Sequence, residues 1–408
     1  MTTPFDVVAV RGDFPVLGRK IYGKDLVYLD SAASAQKPSQ VLDAQRAFDA
    51  TTYSNIHRGV HRLSQDATVA YEAARKKIAA FLGAPSEHEI VLTSGTTEAI
   101  NLVTQSWGRS TLGPDDEVVI TWMEHHSNIV PWQLVAEQTG CTLRVVPIDD
   151  RGELDLDAAR KLIGPRTRMV AFAHVSNALG TINPVSELVA LAKAHGALTL
   201  LDGAQAVPHV KVDVAALGCD FYAFSGHKLF GPSGTGALWG RRKLLDSMPP
   251  WKGGGDMILS VSFDGTRYNS VPHKFEAGTP NISGIVGLGA AIDYLGGLDL
   301  DAAFAHEEAL VHHATESLLA LGKIRIIGTA KNKASVVSFV TEGIHPHDMG
   351  TILDQEGVAV RAGHHCAQPV MESFGIPATT RASFAFYNTH DDVDRLVTAV
   401  RTALEIFG

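Results

Sequence analysis

Short apolar runs, bounded by Gly, Pro or polar residues, recur along the middle of the chain at residues 118–121, 143–147, 169–174, 198–202, 221–225 and 236–239. Runs of this length without strict polar alternation read as strands buried on both faces. Between several of them lie patterns of helical period. The clearest is 184–195, where Val185, Leu188, Val189 and Ala192 recur three and four apart and Pro184 suits a first turn. This alternation predicts an α/β sheet, mostly parallel. Upstream, residues 40–50 and 67–81 predict helices, the second stopped by Gly83 and Pro85. Downstream the texture changes. A long helical pattern runs from Asp301 to about Leu321, alternating apolar residues follow at 324–327 and 336–340, and 393–406 predicts a terminal helix. This is a smaller α+β unit. Its boundary is expected near 295–301, where a Gly-Gly pair follows an apolar helical pattern.

Composition narrows the class. At 408 residues the chain has room for two or three domains. Hydrophobic residues at 45% and charged residues at 19% argue against disorder and against a small disulfide scaffold. Thirty-five Lys and Arg against 44 Asp and Glu give a formal charge of −9, so neither nucleic acid nor an anionic membrane is an expected partner. The three cysteines, Cys141, Cys219 and Cys366, form no CxxC pair and cannot all pair within one chain, which fits a reducing compartment. The first residues lack a signal-peptide pattern and no run approaches the ~20 apolar residues of a membrane span. A cytoplasmic location is expected.

Four segments carry chemistry-bearing residues where apolar runs end, the place at which open parallel sheets bind ligands. Asp202 closes the run 198–202 and is followed by Gly203, Ala204 and Gln205. A buried acid there needs a cationic neighbour, whereas a helix N-cap is the plainer reading. Ser225-Gly226-His227-Lys228 closes the next run. Lys228 is either a solvated loop residue or an amine held for Schiff-base chemistry. Thr93-Ser94-Gly95-Thr96-Thr97-Glu98 reads as a strand-to-helix turn whose amides and hydroxyls suit a phosphate, or as an ordinary capping box. It has neither P-loop nor GxGxxG spacing. Arg361-Ala362-Gly363-His364-His365-Cys366 sets a cysteine in a polar loop beside a cation, surroundings that favour thiolate. Zinc binding by His364, His365 and Cys366, as in a non-enzymatic assembly protein, ranks below this because adjacent histidines point apart and no second ligand cluster exists. No GxSxG elbow is present.

A phosphate cradle, a carboxylate and a lysine for an aldehyde together describe pyridoxal 5'-phosphate. The sequence resembles the fold-type I, class V aminotransferase group, and within it the SufS-type (group II) cysteine desulfurases. The matching motifs are 28–33, 55–61, 123–128, 202–205, 225–228, 275–280 and 361–369. The resemblance implies a large domain, residues 26–297, whose mostly parallel seven-stranded sheet lies between helices. It also implies a smaller α+β C-terminal domain, residues 1–25 and 298–408, carrying the cysteine loop. Pyridoxal 5'-phosphate is the implied cofactor and no metal is implied. Lys228 would carry the aldehyde, Asp202 would face the ring nitrogen, His125 would stack on the ring and Asn177 and Gln205 would contact its hydroxyl. Thr96, Thr97, Ser225 and His227 would hold the phosphate, with Thr279 reaching the phosphate of a second subunit in a homodimer. Arg381 and Arg361 would receive the substrate carboxylate, and His57 and His364 would support the Cys366 thiolate.

The implied activity converts L-cysteine to L-alanine with a persulfide on Cys366. The sulfur then passes to an acceptor protein of the SufE or zinc-bearing SufU type for iron–sulfur cluster assembly. Ile344-His345-Pro346-His347-Asp348 resembles the segment used with the zinc-bearing acceptors. Selenocysteine lyase or cysteine-sulfinate desulfinase activity on the same fold is the alternative.

Overall fold

The computed structural model describes residues 5–407. Seven strands, β1 (Ile90–Thr93), β2 (Glu117–Thr121), β3 (Thr142–Val146), β4 (Thr167–Ala173), β5 (Leu198–Asp202), β6 (Phe221–Ser225) and β7 (Gly236–Gly240), form one sheet in the order β1-β7-β6-β5-β4-β2-β3. Only β7 runs against the rest, antiparallel to both β1 and β6. Strands β1, β2, β4, β5 and β6 are buried along most or all of their length, as expected where helices cover both faces. Because β1, β2, β4, β5 and β6 point the same way, their carboxyl ends converge on one edge. That edge carries the site.

The smaller sheet is antiparallel, with β8 (Ile324–Ile327), β9 (Val336–Thr341), β10 (Arg361–Gly363) and β11 (Thr379–Ser383) in the order β8-β9-β11-β10. Its core joins these strands to the helices Leu300–Leu319, Pro346–Gln355 and His390–Phe407. The helix Ile282–Gly296 ends at Gly297, and the next, capped by Asp299, leaves at 87°. Among the described residues no single helix is long and apolar enough to cross a membrane.

The N-terminal segment contacts both units. Arg11 pairs with Asp392 at 2.9 Å on one side, while the Phe14 ring meets Phe230 and Tyr294 on the other. Val27 and Leu29 belong to the smaller core, and Val27 and Tyr28 pair in parallel with Val358 and Ala359. Residues 27–29 thus lie with the smaller unit, past the expected boundary at residue 25, whereas Val10, Phe14 and Leu17 join the larger core; the first four residues lie outside the described ones.

Local chemistry explains where elements begin. The helix expected at 67–81 spans Arg62–Phe81, because the His61 side chain accepts the Ser64 amide and caps a turn in which apolar periodicity is weak. A hairpin of Ile258–Ser262 and Gly265–Tyr268 was not expected. It has almost no buried face, so no alternation marks it.

Candidate active site

Asp202 ends β5 and Lys228 follows β6, the neighbouring strand, so the fold sets them side by side at the sheet edge. Burial raises the Asp202 pKa, an effect opposed by the Ala204 amide, which donates to Oδ1 at 2.9 Å, and by the Lys228 ammonium. Burial likewise lowers Lys228, and although Asp202 pulls the other way, its pKa falls to about 8. Arg381 and Arg361 add to the lowering. Gly203 packs against the Tyr222 ring so closely that a Cβ would overlap it, which explains glycine after the acid. Gln205 donates to the Ala32 carbonyl at 2.6 Å, and its Oε1 is buried without a partner.

Beyond β1, Gly95 at φ +147° turns the chain into the helix Thr96–Val103. Ser225 Oγ accepts the Thr96 amide and meets Thr96 Oγ1, both at 2.8 Å, welding this turn to the end of β6. The N-cap is Gly95, with no side-chain cap, so the capping box does not form; Glu98 instead accepts the amide of Ser94, one residue earlier. The helix start still presents first-turn amides without intrahelical acceptors, and Thr97 and His227 line the same cavity.

After β2, His125 faces the cavity. Its Nδ1 accepts the Ser127 amide at 3.0 Å, which places the ring proton on Nε2, and burial lowers its pKa to about 3. Glu124, the residue before, is buried: it accepts from Thr121, Asn128 and the Ala173 amide, and burial raises its pKa to about 8.

The opposite wall comes from the smaller sheet. Arg361 and Arg381 are direct partners across β10 and β11, a like-charge pairing that favours an anion between them. Arg381 donates through Nη1 to the Asn177 carbonyl at 2.8 Å and through Nη2 to Asp30 at 3.1 Å, leaving Nε buried without a partner. Cys366 is half-buried and lines the cavity together with Lys228, Asp202 and both arginines.

The other expected residues fall as follows. Asn177 lines the cavity, yet its amide nitrogen donates to the His365 carbonyl. His365 is buried and His364 exposed, so the adjacent histidines do point apart. His57 and Thr279 do not line this cavity in their own chain: His57 meets Glu72 at 2.9 Å beside His273, and the exposed Thr279 borders a separate depression. His345 caps the helix Pro346–Gln355, its Nδ1 accepting the His347 amide. Asp30, Glu124, Ser127 and Thr379 received no role from sequence. An acid closing a short apolar run, as at Asp202, was the available signal for Asp30.

The donors fit pyridoxal 5'-phosphate. A carboxylate lies beside a lysine of lowered pKa, hydroxyls and first-turn amides form a cradle for a dianion, and the orphan oxygen of Gln205 waits for a hydroxyl. The orphan Nε of Arg381 suits a carboxylate.

The sequence profile of the Aminotransferase class-V family matches residues 27–396. The chain is 51% identical over 407 residues to a probable cysteine desulfurase of Xylella fastidiosa strain Temecula1, covering 100% of this chain and 97% of that protein. It is 51% identical over 405 residues to a cysteine desulfurase of Serratia proteamaculans, covering 99% and 100%. Among solved structures, the cysteine desulfurase CsdA (S-sulfonic acid) of Escherichia coli superposes with a TM-score of 0.91 at 42% identity over the whole of both chains.

Proposed function

Because the chain belongs to the class-V aminotransferase family, we propose that it is a pyridoxal 5'-phosphate-dependent cysteine desulfurase that converts L-cysteine to L-alanine and keeps the sulfur on Cys366. The observation that carries this reading is that Cys366, Lys228 and Asp202 line one cavity.

Lys228, Asp202, His125, Gln205, Thr96, Thr97, Ser225 and His227 would hold the cofactor, which supplies an electron sink for the Cα of a bound amino acid. The chain's own groups divide the remaining work. Arg381 and Arg361 receive the carboxylate, with Asp30 and the Asn177 carbonyl fixing the Arg381 fork. Lys228, neutral above about pH 8, takes and returns the proton at Cα. Cys366 as thiolate attacks the substrate sulfur. An S–S bond forms, the C–S bond breaks with its electron pair left on carbon, and protonation of that carbon gives alanine.

The Cys366 loop is held at both ends, by His126 through the Cys366 carbonyl and by Trp122 through the Pro369 carbonyl. It cannot carry sulfur far, so a protein acceptor of the SufE or SufU type comes to it, for iron–sulfur cluster assembly. Thr279 and His57, outside the cavity of their own chain, support a homodimer in which they serve the other subunit. Three unpaired cysteines suit the cytoplasm.

Incubation with L-cysteine tests the reading. Alanine is released and peptide mass spectrometry finds one added sulfur on Cys366. Absence of alanine, or sulfur on another residue, overturns it.

A further inference from the structure

Two consecutive non-glycine residues, His365 and Cys366, both adopt the left-handed backbone conformation at φ 55°. For a side chain with a Cβ this conformation is unfavourable, so the surrounding structure must impose it. The turn is closed by its own bond, from the Ala367 amide to the His364 carbonyl at 2.9 Å, and the Gln368 amide donates to His126 Nε2 at 3.2 Å; the further bonds that hold His365 and Cys366 in place are few. The Asn177 side chain donates to the His365 carbonyl, the His126 amide donates to the Cys366 carbonyl at 2.8 Å, and His365 Nε2 meets Thr379 Oγ1 at 2.7 Å. The first two hold the backbone from the large sheet. The third is the one side-chain bond of His365, because its Nδ1 is buried without a partner.

Thr379 opens β11, the strand that carries Arg381 two residues later, and is fully buried. The His365–Thr379 bond therefore ties the cysteine turn to the strand that holds the carboxylate clamp. Burial, with Arg381 and Arg361 adding to it, lowers the His365 pKa to about 2, so the ring is neutral and adds no charge between two arginines and a thiol.

We propose that His365 is a positioning residue: through Thr379 it fixes the left-handed turn that aims Cys366 at the substrate sulfur. The inference rests on Cys366 being the attacking thiol. A displacement of about 1 Å at a reacting atom costs on the order of 100-fold in rate, so loss of this one bond is felt in chemistry more than in binding.

The test compares His365→Ala, His365→Asn, His365→Gln, Thr379→Val and Thr379→Ser in the holoenzyme. His365→Asn keeps a residue at home in the left-handed region but cannot reach Thr379, whereas His365→Gln restores the reach. Expected are a fall in kcat for alanine release of about 10–100-fold in His365→Ala, His365→Asn and Thr379→Val with KM changed less than about threefold, and partial rescue in His365→Gln and Thr379→Ser. The rate at which iodoacetamide alkylates Cys366 changes in the same three variants, a readout independent of turnover. The double variant His365→Ala with Thr379→Val is no worse than either single one. Unchanged kcat and alkylation in a folded His365→Asn overturns the proposal, as does an additive double variant. If Cys366→Ala retains cysteine turnover, the functional reading fails, and the alkylation series still decides whether His365 sets the turn.

Discussion

The carbonyl oxygen of Cys366 accepts a hydrogen bond from the amide of His126 at 2.8 Å, so the loop that carries the thiol and the loop that carries His125 are joined through their backbones. The bond uses no atom of the cysteine side chain. Cys366→Ala accordingly leaves the fold in place, with unfolding free energy changed by about 1 kcal/mol or less. Alanine release from L-cysteine is lost, while turnover of L-selenocysteine persists. Denaturant unfolding and alanine assays on both substrates check this, and unimpaired cysteine turnover contradicts it.

Lys228 must be a free amine to join an aldehyde, and its pKa lies at about 8 where an ordinary lysine stays charged. Burial is the main cause and survives removal of any one neighbour. The rate at which the cofactor-free protein takes up pyridoxal 5'-phosphate therefore rises with pH through about 8 and levels off above it. Absorbance of the bound cofactor follows the uptake. In Lys228→Ala, borohydride fixes no adduct at this position. A rate that keeps rising towards pH 10 would mean that the amine has its ordinary pKa.

His125 accepts the Ser127 amide on Nδ1, and burial holds its pKa at about 3. Between pH 5 and 8 the ring stays neutral with its proton on Nε2, so no ionisation of this imidazole shapes the pH profile of turnover. Nitrogen-15 spectra of the histidines should show one resonance pair of the Nε2–H tautomer, unmoved over that range. Ser127→Pro, which removes the amide donor, lets the tautomer redistribute.

The strands Leu198–Asp202 and Phe221–Ser225 were legible to the residue, because an apolar run buried on both faces has to stop where the sheet edge meets polar chemistry. Asp202, Lys228 and Thr96 could be read for the same reason: the first ends its strand, and the other two come three residues after theirs. The partnership of Asp30 with Arg381 joins residues 351 apart, and no local pattern encodes it. The turn at His365 and Cys366 was hidden too, since residues with a Cβ give no composition signal for a left-handed backbone that distant bonds impose. His57 lies outside the cavity of its own chain, its ring meeting Glu72 fifteen residues on, a placement that its motif did not indicate.

Glu72 leads to Arg75, a fully buried guanidinium between two carboxylates. Its Nε and Nη2 reach Glu72 at 2.7 and 3.2 Å, Nη1 and Nη2 reach Glu276 at 2.6 and 2.9 Å, and Nη1 also donates to the Ile90 carbonyl at the start of β1. Glu276 in turn accepts the Leu92 amide, so the cluster ties the helix Arg62–Phe81 and the segment before Thr279 to the edge of the large sheet. Replacing Arg75 by Met strands two carboxylates in a desolvated place and is expected to cost about 3–5 kcal/mol. Acid acts on the same cluster. Burial pushes the Glu72 pKa up, but the bonds from His57 and Arg75 outweigh it and hold it at about 2 against an ordinary 4.5. A depressed carboxyl contributes stability that is fully present above its unfolded pKa and is lost as pH falls through the folded one. The wild-type protein therefore loses this contribution between about pH 4.5 and 2, and Arg75→Met, lacking it already, shows a shallower decline over that window. Urea unfolding at a series of pH values measures both slopes; parallel slopes would show that Arg75 does not set the Glu72 ionisation.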